Sequence, residues 1–242
     1  VESTIKDTLN SVGFQTYKNI EHLIVDGNST DKTLEVFQTN KNLTSTIISE
    51  PDNGLYDAIN KGILMASGEV IGILNADDVF YDENVISRIV DQFDVNENLD
   101  AVYGNIIFTK KLNLNKTVRV YNSAKWNLNK FAWGFMPPHP SFFCKKEVFN
   151  RLGLYKLDYK IAADYELLIR FIHVNKIKVR YLSMITTVMR TGGISTNGIK
   201  SNITLNREIL KACKANNLYS NYLMIYSKYF FKIFDLLIFY RK

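Results

Sequence analysis

The chain has 242 residues, 46% of them hydrophobic and 22% charged, which supplies one large core with or without a small appendage. Its formal net charge of +6 suits contact with anions such as nucleotides or phospholipids, but no dense Lys/Arg run offers a nucleic-acid groove, and nucleic acid is excluded as a partner. The two cysteines, Cys144 and Cys213, lie far apart with no C-x-x-C, which excludes a disulfide framework and a thiolate zinc site and reads as two reduced, buried thiols in a cytoplasmic protein.

No signal peptide is visible, and the chain opens at a helix over about 3–13, where Ile5, Leu9 and Val12 recur at helical spacing. A strand over 19–25 enters a turn at Asp26-Gly27-Asn28, and Asp31 caps a helix to about 38. A short strand at 46–49 leads into the turn Pro51-Asp52-Asn53-Gly54, then a helix over 55–66. The apolar strand 70–74 runs into Asn75-Ala76-Asp77-Asp78; a helix over 83–93 and a strand over 101–108 follow. Strands alternating with helices predict an α/β fold with a mainly parallel central sheet and helices on both faces. The acidic turns at Asp26, Asp52 and Asp77 follow successive predicted strands, at the carboxyl edge where open α/β sheets bind ligands.

The second half is less regular. Residues 110–116 read as a hairpin or loop, and the aromatic, proline-rich stretch 126–140 as irregular chain wrapping a site. A strand at 142–145, a short helix at 147–152, a helix over 164–174, a strand over 179–189 and a helix over 199–215 follow. The last segment, 219–242, is a helix rich in Tyr, Phe, Leu and Ile, with Lys228, Lys232 and Asp235 on a narrow polar stripe. Charges break its apolar runs short of the ~18 residues a transmembrane helix needs. It either packs on the domain or lies in a membrane surface, where its aromatic belt and Arg241-Lys242 fit.

Asn75-Ala76-Asp77-Asp78 carries the strongest chemistry. Two adjacent carboxylates leaving an apolar strand repel each other unless a cation neutralises them, and hard oxygens suit Mg²⁺ or Mn²⁺ shared with phosphate. The competing reading is helix capping by Asp78 or Asp82.

The run Ile24-Val25-Asp26-Gly27-Asn28-Ser29-Thr30-Asp31-Lys32-Thr33 resembles the nucleotide-binding turn of the inverting glycosyltransferase family 2. Glu50-Pro51-Asp52-Asn53-Gly54 with Ala58-Ile59-Asn60-Lys61-Gly62, and Ser67-Gly68-Glu69-Val70-Ile71 leading to Asn75-Ala76-Asp77-Asp78, are similar to its further motifs. The resemblance covers about 3–110 and implies the GT-A fold: a donor half over 1–110, an acceptor half over 111–198 and a C-terminal helical segment over 199–242. By it, Asp26 reads the nucleobase, Asp52 faces base and ribose, Asn75 and Asp77 bind the nucleotide sugar, and Asp78 holds the metal on the diphosphate. It places the catalytic base at Asp164, with Glu166 as fallback; Ala163 stands where the family often has a supporting Glu. Pro137-Pro138-His139-Pro140-Ser141 and Arg190-Thr191-Gly192-Gly193-Ile194-Ser195 resemble segments of a bacterial polysaccharide branch, with His139 on diphosphate, metal or acceptor and Arg190 on phosphate.

Family members open with a β-strand that this sequence lacks at its start, and the processive Gln-x-x-Arg-Trp signature is absent. The resemblance therefore implies transfer of a single sugar from a nucleoside-diphosphate sugar, UDP foremost, to a glycan or polyprenyl-linked acceptor. The implied setting is the cytoplasmic face of the inner membrane, with peripheral attachment through the last helix. Two rivals are a sugar-phosphate nucleotidyltransferase, which lacks its Gly-rich basic loop here, and a non-catalytic nucleotide- or sugar-binding module.

Overall fold

The computed structural model describes residues 2–41, 45–111, 113–192 and 198–239. Helix α1 (Ile5–Gly13) buries Ile5, Leu9 and Val12, and the first two meet Phe37 of α2 (Thr33–Asn40). Strands β1 (His22–Asp26) and β2 (Ser45–Ser49) pair in parallel, with Asp26 opposite Ser49. Asn28, just past β1, takes φ 64°, a left-handed conformation that asparagine tolerates better than most residues. Helix α3 (Leu55–Met65) follows β2 and faces the core through Tyr56, Asn60 and Ile63.

The remaining strands are β3 (Val70–Gly72), β4 (Val79–Phe80), β5 (Ala101–Lys110), β6 (Asn113–Tyr121), β7 (Phe142–Lys145) and β8 (Val179–Arg190). They form one sheet in the order β3-β7-β5-β8-β4, with β6 also on β5. β5 is its spine. Nearly every residue of it is buried, and it pairs with β8 along one edge and with β7 and then β6 along the other. Helix α4 (Val85–Val95) buries Val85, Ile89 and Phe93 against this sheet. Helices α5 (Lys146–Leu152), α6 (Ala163–Leu168) and α7 (Ile199–Ala215) contribute to the largest core, and α8 (Tyr222–Phe239) docks there through Ile225. α6 runs on as a π-helical stretch, Ile169–Val174, so the single helix expected over 164–174 changes its winding midway.

The expectation of a mainly parallel sheet is corrected. Among the described residues only β1–β2 and β5–β8 run parallel, and the other pairs are antiparallel. Strand–helix–strand alternation reports order along the chain. Here β7 and β8, from late in the chain, insert between strands contributed earlier. Of the hairpin or loop expected over 110–116, the hairpin is found: β6 turns back antiparallel on β5, and among the described residues it pairs with no other strand, so its other edge tolerates polar residues. The stripe at Lys232 and Asp235 and the terminal Arg241-Lys242 lie outside the residues whose side chains are described.

Gly72 shows how tightly β3 and β7 approach: a Cβ there stands 2.3 Å from the Phe143 ring. Gly72→Ala is expected to cost about 1–3 kcal/mol, the usual range for overpacking, read as a lower urea midpoint with an unchanged slope.

Candidate active site

The site is assembled from three clusters. The first lies where β1 and β2 end. Asp26 is buried, and its carboxylate accepts the Ser29 amide at 3.0 Å, the Ser29 hydroxyl at 2.5 Å and the Ser49 hydroxyl at 2.7 Å. Burial opposes its charge, but these donors outweigh burial and hold it below the ordinary carboxylate range. Asp52 lies against Gly27 so closely that a Cβ on Gly27 stands 2.4 Å from Asp52 Oδ2. The bare glycine lets two acidic turns from different strands meet. Asp52 Oδ1 also accepts the Gly54 amide at 2.8 Å, which fixes the entry into α3.

The second cluster is the turn between β3 and β4. Its two carboxylates have separate environments. Asp78 is 1% exposed and turned inward: Oδ2 accepts the Asn75 side-chain amide at 2.9 Å and Oδ1 the Arg190 backbone amide at 3.2 Å. Burial pushes its carboxyl up to about 7, with the Asp77 charge adding to the rise and Asn75 and Arg190 opposing it. Asp77 is only partly buried, and its carboxylate has no hydrogen-bond partner among the described residues. Arg190, buried, joins the turn to two other segments through all three guanidinium nitrogens: Nε donates to Asp77 O at 2.8 Å, one terminal nitrogen to Lys111 O at 2.8 Å, and the other to the Asp7 carboxylate.

α1 and the residues flanking it bind the turn and the chain just beyond it. The Thr4 hydroxyl donates to Ala76 O, the Thr8 hydroxyl to Asp78 O at 2.8 Å, and Gln15 Nε2 to Asp82 O at 2.8 Å. Ser11 accepts the Phe80 amide, and Gln15 Oε1 accepts the Ile86 amide. The spacing of Thr4, Thr8, Ser11 and Gln15 is a helix-face signal that the apolar reading of 3–13 passed over.

The third cluster surrounds Asp164. Its carboxyl keeps partial exposure, and burial raises its pKa to about 6 against the Tyr165 amide, which donates at 2.8 Å. α3 supplies one wall. Tyr56 donates to Ile161 O at 2.5 Å and stands 3.5 Å from Asp164 Oδ1. Asn60 exchanges hydrogen bonds of 2.8 and 2.9 Å with the Tyr155 backbone, and the Tyr56 and Tyr155 rings stack at 5.7 Å. His139 Nε2 lies 2.5 Å from the Tyr155 hydroxyl, and burial lowers the imidazole pKa to about 4. His139 is therefore held neutral against Tyr155. Glu166, the fallback base, is 0% exposed and ion-paired with Lys156 and Arg170, which commits it to the core. Gly193-Ile194-Ser195 of the expected loop lies outside the described residues.

Tyr56 and Asn60 dock α3 on the segment that leads to Asp164, so the turn at Asp52 and the carboxyl at Asp164 are linked through the first two turns of that helix.

The mixed α/β fold with acidic turns at strand ends is that of the GT-A glycosyltransferases. The family model "Glycosyl transferase family 2" matches residues 1–153, and the chain belongs to that family. A PGL/p-HBAD biosynthesis glycosyltransferase of Mycobacterium bovis is 27% identical over 215 residues, covering 87% of this chain and 79% of that protein. The Escherichia coli UDP-Glc:alpha-D-GlcNAc-diphosphoundecaprenol beta-1,3-glucosyltransferase WfaP is 28% identical over 206 residues, covering 82% and 77%. The solved mannosyltransferase PcManGT from Pyrobaculum calidifontis, in complex with GDP-Man and Mn²⁺, superposes with a TM-score of 0.64 at 18% identity; the match covers 89% of this chain and 60% of that one.

The raised pKa of Asp164 has a sign that can be checked. Its folded value near 6 exceeds the ordinary 3.8, so the ionised carboxyl costs stability as pH rises through 6, and the cost vanishes below about 4. Asp164→Asn is expected to raise the thermal midpoint relative to wild type at pH 8 and to lose that advantage at pH 4. A constant difference across that window contradicts the burial account.

Proposed function

We propose that this glycosyltransferase moves a single sugar, with inversion, from a UDP-sugar to a hydroxyl of a glycan or polyprenyl-linked acceptor. The observation that carries the reading is Asp164: a half-buried acid 3.5 Å from the Tyr56 hydroxyl, its pKa raised to about 6 by burial, joined through α3 to the Asp52 turn. Such a group is ionised at neutral pH and still basic enough to take a proton in the transition state. As the acceptor oxygen bonds to the anomeric carbon, its proton passes to Asp164. The bond from that carbon to the diphosphate breaks on the opposite face, and the diphosphate leaves with the electron pair.

On the donor side, Asp26 and Asp52 accept from base N–H and ribose O–H groups. The divalent metal is assigned to the Asp77-Asp78 turn. Asp77 offers its carboxylate outward, while Asp78, expected as the ligand, has both oxygens engaged within the fold. Among the described residues no three His, Cys, Asp or Glu side chains gather as a metal cage. That fits Mg²⁺ or Mn²⁺, which take one or two carboxylates and complete their shell with water and phosphate oxygens. When bound, the cation neutralises charge on the departing diphosphate. PcManGT carries Mn²⁺ with its nucleotide sugar, and WfaP, by its name, uses UDP-Glc and a diphosphoundecaprenol acceptor. Asn75, expected on the donor, spends its amide on Asp78, and Arg190, expected on phosphate, spends its guanidinium on Asp77 O, Lys111 O and the Asp7 carboxylate. Both are assigned to shaping the site.

A lipid-linked acceptor calls for a membrane-facing surface. α7 exposes Arg207, Lys211 and Lys214 along a groove of about 510 Å³ that Tyr222 closes, and α8 exposes Leu223, Tyr226 and Phe230. Cations beside aromatic and aliphatic side chains suit an anionic bilayer surface, and no helix among the described residues is long and apolar enough to cross a membrane. The proposed setting is the cytoplasmic face of the inner membrane.

Calorimetry of UDP, GDP and dTDP with and without Mn²⁺ tests the donor site: UDP is expected to bind tightest and to need Mn²⁺, and Asp77→Asn to remove that requirement along with most of the affinity. Asp164→Asn is expected to bind UDP normally and to lose about 100-fold or more in transfer. Full transfer by this variant sinks the base assignment. Sedimentation with phosphatidylserine-containing vesicles, but not with pure phosphatidylcholine, is expected for wild type and lost in Arg207→Glu/Lys214→Glu.

A further inference from the structure

Helix α7 lies wholly outside the residues matched by the family model, yet it grips the segment that presents Asp164. The Glu208 carboxylate, 9% exposed, accepts three consecutive backbone amides: Lys160 at 2.8 Å, Ile161 at 2.9 Å and Ala162 at 2.9 Å. One turn further along α7, Lys211 pairs with the Asp158 carboxylate and donates to its carbonyl at 3.0 Å, while lying 4.3 Å above the Tyr159 ring. From the other side, Tyr56 holds the Ile161 carbonyl at 2.5 Å. The peptide two residues before Asp164 is thus fixed at both ends, its carbonyl by α3 and its amide neighbours by α7.

We infer that Glu208 is a positioning residue for the transfer reaction: by collecting the amides of residues 160–162 it sets the loop that aims Asp164 at the acceptor hydroxyl. Ala162 opens α6 with no side-chain cap, so a carboxylate from a distant helix satisfies donors that the local sequence leaves open. A single carboxylate taking three charge-assisted hydrogen bonds is a stiff anchor, and a shift of about 1 Å at a reacting group costs on the order of 100-fold in rate. The titratable groups facing Asp164 are Tyr56 from α3, Tyr155 from the preceding loop and Glu208 from α7. The Glu208 charge also works against ionisation of Asp164 and so keeps the base stronger.

The inference rests on Asp164 being the base, so the test runs Glu208→Gln, Glu208→Asp and Asp164→Asn in parallel. The probes are UDP binding with Mn²⁺, release of UDP from whichever of UDP-glucose, UDP-GlcNAc and UDP-galactose wild type turns over fastest, and a ¹³C-carboxyl titration of Asp164. Glu208→Gln keeps size but replaces an acceptor with an amide that cannot serve three donors. It is expected to bind UDP as wild type does, to lose about 100-fold in kcat, and to move the acid limb of kcat and the Asp164 titration to lower pH. Glu208→Asp, which keeps the charge, is expected to recover part of kcat and the wild-type acid limb. A merely structural role predicts parallel losses in midpoint, UDP binding and kcat with the Asp164 titration unmoved, and that pattern overturns the inference. So does a Glu208→Gln enzyme within twofold of wild type while Asp164→Asn is dead. If Asp164→Asn itself turns over at the wild-type rate, the base assignment fails, and the inference fails with it.

Discussion

A guanidinium buried without partners is untenable, and Arg190 is buried at the meeting point of three chain segments. It survives there because Asp7 supplies the counter-charge and the carbonyls of Asp77 and Lys111 take its other hydrogens. Its own backbone amide then satisfies Asp78. This one residue ties α1, the acidic turn and the end of the β5–β6 hairpin to the last residue of β8. The Asp78 charge is tolerated on the same terms: its carboxylate stays near neutrality in pKa because Asn75 and Arg190 offset part of the cost of burying it. The adjacent Asp77 is left partly exposed at a rigid edge. A pair of like charges has been resolved by burying one and presenting the other.

The second tie is α3. It begins at the Asp52–Gly54 turn and ends its first two turns on the Asp164 segment, through Tyr56 and Asn60. The Asp52 turn and the Asp164 segment therefore share one short helix. The sheet has the same logic, since β3 and β4 from the first half lie at either end of an order filled by β7, β5 and β8. The expected halves, 1–110 and 111–198, both contribute strands to this one hydrogen-bonded sheet.

Elements that bury one periodic face were legible: α1 from Ile5, Leu9 and Val12, α7 over Ile199–Ala215 to the residue, and β7 over Phe142–Lys145. The acidic turns were legible because Gly and Asp cluster after apolar runs. Strand neighbours were not, because β5–β8 and β3–β7 contacts join residues 70 or more apart, and local periodicity carries no trace of them. The polarity within the Asp77-Asp78 pair was also hidden, since identical side chains differ only in which one meets Asn75. Arg190 read as a phosphate ligand for the same reason: its partners are two carbonyls and an acid more than 180 residues upstream. His139 stood in a segment expected to wrap a site, and it does so indirectly, by bonding to Tyr155.

The Arg190 tie also sets an order of events during translation. Residues 4–86 emerge from the ribosome early, and α1 can find the 76–86 segment by its own hydrogen bonds. The nascent acidic turn nevertheless waits for more than a hundred further residues before its clasp appears. Until then Asp77 and Asp78 sit on an open loop with repelling charges and β4 lacks its β8 partner. β4 therefore presents an unpaired strand edge until β8 is made, and the Asp77-Asp78 turn is among the last parts of the molecule to gain its full set of contacts.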